Sequence, residues 1–166
     1  MLDSERVRSV MNGKGKTVTI RGDSSVLEAA QLMRQEGVGC LVVTDVGGGI
    51  AGVLSEKDMV ARVIAESRNP QSTLVREVLT SKVIAISPES SLSRAREVMA
   101  EYGIRHLPVV KNGKLEGMVS SRDILSRQLH FVEQVAQRQS SILREVEKKY
   151  PGIGRVEADA AGRIVI

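Results

Sequence analysis

Residues Gly52–Asp58 read GVLSEKD, and Gly117–Asp123 read GMVSSRD. Each is a glycine, two apolar residues, a serine, two variable residues and an aspartate. Working outward, the likeness continues on both sides. VRSVM (7–11) returns as VREVL (75–79), and DSSVLEAAQLMRQEGVG (23–39) returns as ESSLSRAREVMAEYGIR (89–105). The offset falls from 68 residues at the leading segment to 65 at the motif. Two copies of one unit therefore fill the chain from Val7 to about Leu129, and self-similarity on this scale decides the architecture.

Both copies have the same order of elements. A short β-branched run, Val18–Ile20 or Val83–Ile86, precedes a helix. That helix is opened by Asp23-Ser24-Ser25 or Pro88-Glu89-Ser90-Ser91, whose side chains can accept its first free amides. Apolar residues then recur at helical spacing: Val26, Ala29, Ala30 and Met33, or Leu92, Ala95, Val98 and Met99. Gly37 and Gly103 stand where a helix ends in a left-handed residue. Two strands follow, joined by the Gly47-Gly48-Gly49 run or by Asn112-Gly113. A second helix begins near Glu56 or Ser121. The expected class is α/β (α+β), with two pseudo-symmetric β-α-β-β-α units at 7–66 and 75–130. The linker 67–74 is an internal joint, because neither unit can bury its own sheet.

Composition limits the function. The chain has 166 residues, 42% of them apolar and 27% charged, with a net charge of +4. Phe131, Tyr102 and Tyr150 are its aromatics, too few for the stacking platforms that hold single strands, so nucleic acid is not an expected partner. One cysteine, Cys40, gives no intramolecular disulfide and suits a reducing compartment. No apolar run is long enough to span a bilayer, and the N-terminus lacks the apolar core of a signal peptide. A cytoplasmic protein is the expectation.

Three tempting motifs fail on context. Gly15-Lys16-Thr17 resembles the end of a P-loop, but Val10 stands where the first glycine belongs. Gly47–Gly52 satisfies G-x-G-x-x-G but lies in a hairpin turn. His106, His130 and Cys40 have no metal-ligand spacing. No nucleophile and base fall together either, so neither a metal site nor catalysis is expected.

The two stretches DSSVLEAAQLMRQEGVGCLVVTD…GIAGVLSEKDMV and PESSLSRAREVMAEYGIRHLPVVKNGKLEGMVSSRDIL resemble a tandem pair of CBS domains, a Bateman module. The resemblance covers roughly residues 7–130. It implies two units packed through their sheets, with clefts between them, and a regulator that commonly forms dimers. It also implies an adenosine-containing regulatory ligand, AMP or ATP first, with NAD(H) and S-adenosylmethionine as alternatives, and no required cofactor. Asp58 and Asp123 would accept the ribose hydroxyls, with Ser55 and Ser120 facing the ribose–phosphate link. Lys57, Arg122, Arg105 and His106 would pair with phosphate. Adenine would lie near Ile20, Val38 and Cys40 in one cleft, and near Ile86, Ile104, Leu107 and Pro108 in the other. The copies differ: Arg105-His106-Leu107-Pro108 fits the adenine-binding pattern, whereas Gly39-Cys40-Leu41-Val42 lacks the basic pair and the proline. The cleft carrying Asp123 is therefore the expected site. The residues themselves leave a second reading open, since Ser-x-x-Asp at a helix start is also close to a capping box.

The second copy's last helix does not stop where the first copy's does. Asp123–Lys149 contains no Gly or Pro and would be about 40 Å long. Leu125, Leu129, Val132, Ala136, Gln139, Leu143, Val146 and Tyr150 recur at alternating spacings of four and three, a heptad seam flanked by Phe131, Val135 and Ile142. This extension, 131–150, could pack on its own protomer, form a dimer arm or meet an effector protein. Hence the rival function: a structural or protein-interaction module with empty clefts, acting through the helix. The tail 151–166 could form a short hairpin.

Overall fold

A computed structural model describes residues 4–11, 17–149, 157–158 and 164–165. The order of elements is helix α1 (Val7–Met11), strand β1 (Thr19–Arg21), α2 (Val26–Glu36), β2 (Cys40–Thr44), β3 (Ile50–Ser55) and α3 (Glu56–Met59). A π-helical turn, Val60–Ile64, follows. Then come α4 (Val75–Val78), α5 (Leu92–Tyr102), β4 (His106–Lys111), β5 (Lys114–Ser120) and α6 (Ser121–Lys149).

Local chemistry places these elements where the sequence predicts them. Ser25 caps α2 in a capping box with Glu28, and Ser91 caps α5 through the amide of Arg94. Gly37 (φ 64°) and Gly103 (φ 62°) end the two helices in the left-handed region. Asn112 and Gly113, both at positive φ, make the two-residue turn that sets β4 against β5. In the first hairpin the Asp45 carboxylate instead gathers the amides of Gly47 and Gly49.

One predicted strand is shorter than expected. In the first repeat β1 pairs in parallel with β2, whereas the run Val83–Ile86 forms a single parallel bridge, Ile86 to Val109. Ile86 donates to the Pro108 carbonyl and accepts from Val110. Two residues on, the next rung needs an amide from Pro88, which has none.

The repeats exchange their leading helices. Backbone amides of Val75 and Arg76 bond the carbonyls of Ser24 and Gly22, while Val7 and Arg8 bond those of Ser90 and Pro88. Val75 and Val78 accordingly pack into the first core with Val26, Leu41 and Leu54, and Val7 packs into the second with Leu92, Leu107 and Val119. Each sheet is thus covered by a segment that precedes the other repeat.

Beyond Ile124 the chain forms a second compact unit, Leu125–Ile166, which holds most of the 29-residue α6. The predicted unbroken helix is present. Strands β6 (Glu157–Ala158) and β7 (Ile164–Val165) pair antiparallel. Tyr150, the end of the heptad seam, and the rest of the tail lie outside the described residues.

Candidate functional site

The two GxxSxxD segments occupy equivalent places, each the end of a second hairpin strand running into a helix. Strand pairing sets Ser55 opposite Cys40 and Ser120 opposite His106. The amide of Glu56 then bonds the Gly39 carbonyl, and that of Ser121 bonds the Arg105 carbonyl. A basic residue at 105 is thereby held beside the start of α6.

Both motifs are realised as caps. The amide and hydroxyl of Ser120 donate to Asp123 Oδ2, each at 2.7 Å, and the Asp123 amide returns to Ser120 Oγ at 3.4 Å. Ser55 and Asp58 repeat this at 2.9, 2.5 and 3.3 Å. Capping and ligand contact are compatible, because the cap engages Oδ2 and leaves the second carboxylate oxygen to other partners.

At Asp58 those partners come from the fold. Thr80 Oγ1 donates to Asp58 Oδ1 at 3.2 Å, and Arg62 Nη2 lies 3.1 Å from the same oxygen. Arg62 also bonds the Val78 carbonyl and Thr80 Oγ1. Asp58 therefore ties α3 to the segment after α4, and its side chain is only 15% exposed. Thr80 and Arg62 were not foreseen from sequence. For Arg62 a signal was present, since an arginine follows each motif aspartate by four residues, Arg62 and Arg127.

A cleft of about 1000 Å³ opens between the repeats. The second repeat contributes Arg105, His106, Ser120, Arg122 and Asp123; Val18, Met33, Val38, Gly39 and Cys40 come from the first. Of the residues implied by the resemblance, the cleft brings together Arg105, His106, Ser120, Arg122, Asp123, Val38 and Cys40. Cys40 pairs with Ser55 across the first hairpin, yet Ser55, Lys57 and Asp58 do not line this cleft. Nor do Ile20, Ile86, Ile104, Leu107 and Pro108. Ile20, Ile86 and Leu107 are core residues, 8%, 7% and 0% exposed. Strand alternation explains the split at β4, where Leu107 and Val109 point into the core and their neighbour His106 lines the cleft.

The cleft is amphipathic in charge. Arg34, Arg105 and Arg122 share it with Glu36, Glu56 and Glu116, none of the last three foreseen. The Glu56 carboxylate lies about 3.0 Å from where a Gly39 side chain would begin, so a larger residue there would displace it. Backbone amides at the start of α6, with its dipole, favour an anion beside Arg122.

Cys40 contributes packing rather than reactivity. Burial, and then the charge of Asp58, push its thiol from 9.0 up to about 12. The folded thiol stays protonated where an unfolded one ionises. Its stabilising contribution is complete below about pH 9 and is lost as pH rises towards 12. We expect iodoacetamide at pH 8 to label native Cys40 at least tenfold more slowly than the denatured chain, read by intact mass; equal rates would contradict this burial. Among the described residues no group of three His, Cys, Asp or Glu side chains could hold a metal. No helix among them is long and apolar enough to cross a membrane.

Comparison with known proteins agrees with this fold. The family model "CBS domain" matches residues 7–65 and 75–130. The chain is 32% identical over 151 residues to the CBS domain-containing protein CBSX3, mitochondrial, of Arabidopsis thaliana, covering 86% of this chain and 73% of that one. Among solved structures, a putative signal-transduction protein with CBS domains from Burkholderia ambifaria superposes with a TM-score of 0.73 at 31% identity, covering 76% of this chain and 95% of that one. A hexameric CBS-CP12 protein from bloom-forming cyanobacteria gives 0.68 at 25% identity, covering 87% of each. Two family matches on the two repeats, with a relative and a solved fold above 30% identity, place this chain in the CBS-domain family.

Proposed function

We propose that this chain is a regulatory module that binds an adenosine-containing ligand in the cleft carrying Asp123. CBS pairs are in general regulatory ligand-binding modules. The observation that carries the finer reading is the convergence of Arg105, Arg122 and Asp123 at the start of a long helix, facing apolar Val18, Met33 and Val38. A carboxylate suits a ribose diol, the arginines and helix amides suit phosphate, and the apolar wall suits a base. The volume matches the upper range of small-molecule sites. Ligand held by both repeats would bias their packing through its differential affinity for two arrangements, and so act on a partner protein. The module requires no cofactor, catalyses no reaction, works in the cytoplasm and functions as a homodimer; the hexameric relative supports self-association.

Calorimetric titration with AMP, ATP, NADH and S-adenosylmethionine tests this. We expect at least one to bind below the millimolar range, saturating one site per chain. No binding of any of the four would overturn it. A second reading, a protein-interaction module acting through α6 with empty clefts, is favoured by the exposed apolar face of that helix. Truncation after Arg127 with calorimetry separates them: under the first reading the shortened chain still binds a nucleotide, whereas under the second neither form binds one and only the partner contact is lost.

A further inference from the structure

The apolar face of α6 is unusually open. Leu129, Val132, Ile142 and Val146 are 56%, 64%, 55% and 42% exposed. An amphipathic helix of this length keeps such a stripe in water only when something else covers it. We propose that the occupant is α6 of a second copy, running antiparallel and centred between Gln137 and Arg138. This gives the homodimer of the proposed function a specific interface and rests on that part of the reading alone.

The register carries the argument. In heptad terms Leu129, Ala136 and Leu143 occupy a positions, and Leu125, Val132, Gln139 and Val146 occupy d positions. Antiparallel helices set a against d. About the stated centre, Leu129 meets Val146 of the second copy, Val132 meets Leu143, and Ala136 meets Gln139, each twice by symmetry. The polar interruption thus lies opposite the one small residue of the seam, which leaves its amide room to reach solvent.

A parallel pair stacks Gln139 on Gln139 and Ala136 on Ala136, which buries two amides together and leaves a void beside them. Shifting the antiparallel register by a heptad in one direction puts Gln139 against Leu129, and in the other against Leu143. Both shifts also shorten the seam.

The flanks agree. Val135 and Ile142, the apolar g positions, face one another across the antiparallel pair and extend the seam. Lys149 meets Gln128, and Glu133 meets Ser140, so no like charges are opposed. In a parallel pair Val135 would lie beside Ser140 instead. The antiparallel arrangement is therefore the one in which Val135 and Ile142 find apolar partners, while Phe131, at a c position, lies off the seam.

The test uses full-length single-cysteine substitutions beside the buried native Cys40. Val132→Cys and Leu143→Cys chains, co-refolded and oxidised mildly, should give a disulfide-linked heterodimer. Neither should crosslink alone, because like residues lie about 16 Å apart along the antiparallel pair. Val135→Glu should raise the dimer dissociation constant at least tenfold by sedimentation equilibrium. Adding Ile142→Lys should restore association, since the new charges then face each other across the interface. Self-crosslinking of Val132→Cys would show a parallel pair and overturn the proposal. A monomeric parent chain, or a dimer indifferent to Val135→Glu, would overturn it as well. Loss of nucleotide binding with the dimer intact would count against the ligand reading and leave this one standing.

Discussion

Titrated with the nucleotide that binds the parent chain, Asp123→Ala is expected to lose about a hundredfold in affinity, whereas Asp58→Ala stays within about twofold. Asp123 lines the cleft with Arg105 and Arg122, where a carboxylate can take both hydroxyls of a ribose. Each hydrogen bond to a charged group is worth about 1.5–3 kcal/mol, and about 1.4 kcal/mol is a factor of ten in binding. Asp58 has the same local geometry but lies outside this cleft, and its Oδ1 is held by Thr80 and Arg62. Its removal should appear in stability instead, at about 1–3 kcal/mol in denaturant melts, because Thr80 and Arg62 lose a shared partner. Asp123→Asn separates ligand contact from capping. The amide oxygen can still accept from Ser120, so folding should hold while affinity falls by about tenfold. Equal binding losses for Asp58→Ala and Asp123→Ala would refute the asymmetry between the repeats.

That asymmetry was only half legible in the sequence. Periodicity, capping serines, left-handed glycines and the Asn112-Gly113 turn are local signals, and the elements they mark formed where expected. The exchange of leading helices was not legible, because α1 and α4 are short and their cores depend on contacts between distant segments. The site suffered for the same reason. Val38 and Cys40 of the first repeat line the cleft with Arg105 and Asp123 of the second, a meeting of distant segments that neither copy displays by itself. Glu56 escaped notice because its counterpart in the second repeat is Ser121, and a repeat comparison highlights what is shared.

The glycine that opens each motif yields the other large effect. Gly52→Ala is expected to cost about 2–3 kcal/mol in denaturant unfolding, and Gly117→Ala less than about 1 kcal/mol. Neither glycine has a positive φ, so space decides the cost rather than backbone conformation. A side chain at 52 would begin 2.7 Å from both the Thr80 carbonyl oxygen and Leu79 Cδ1. That carbonyl cannot withdraw, because Thr80 and Val53 exchange two backbone hydrogen bonds at 3.0 and 2.8 Å. At Gly117 the nearest atoms are the terminal methyl and sulfur of Met11, the mobile end of an unbranched side chain that can rotate away. Equal costs at the two sites would mean that Met11 is held as rigidly as Thr80. The predicted inequality assigns the glycine a role apart from ligand recognition. At Gly52 it admits the segment that follows α4, the helix this repeat borrows from the other, and at Gly117 it admits Met11 of α1 in the same way. A motif that looks like one ligand signature is then two devices in series. Its glycine lets the repeats interlock, and its serine and aspartate cap the helix whose first turn, in the second repeat, faces the cleft.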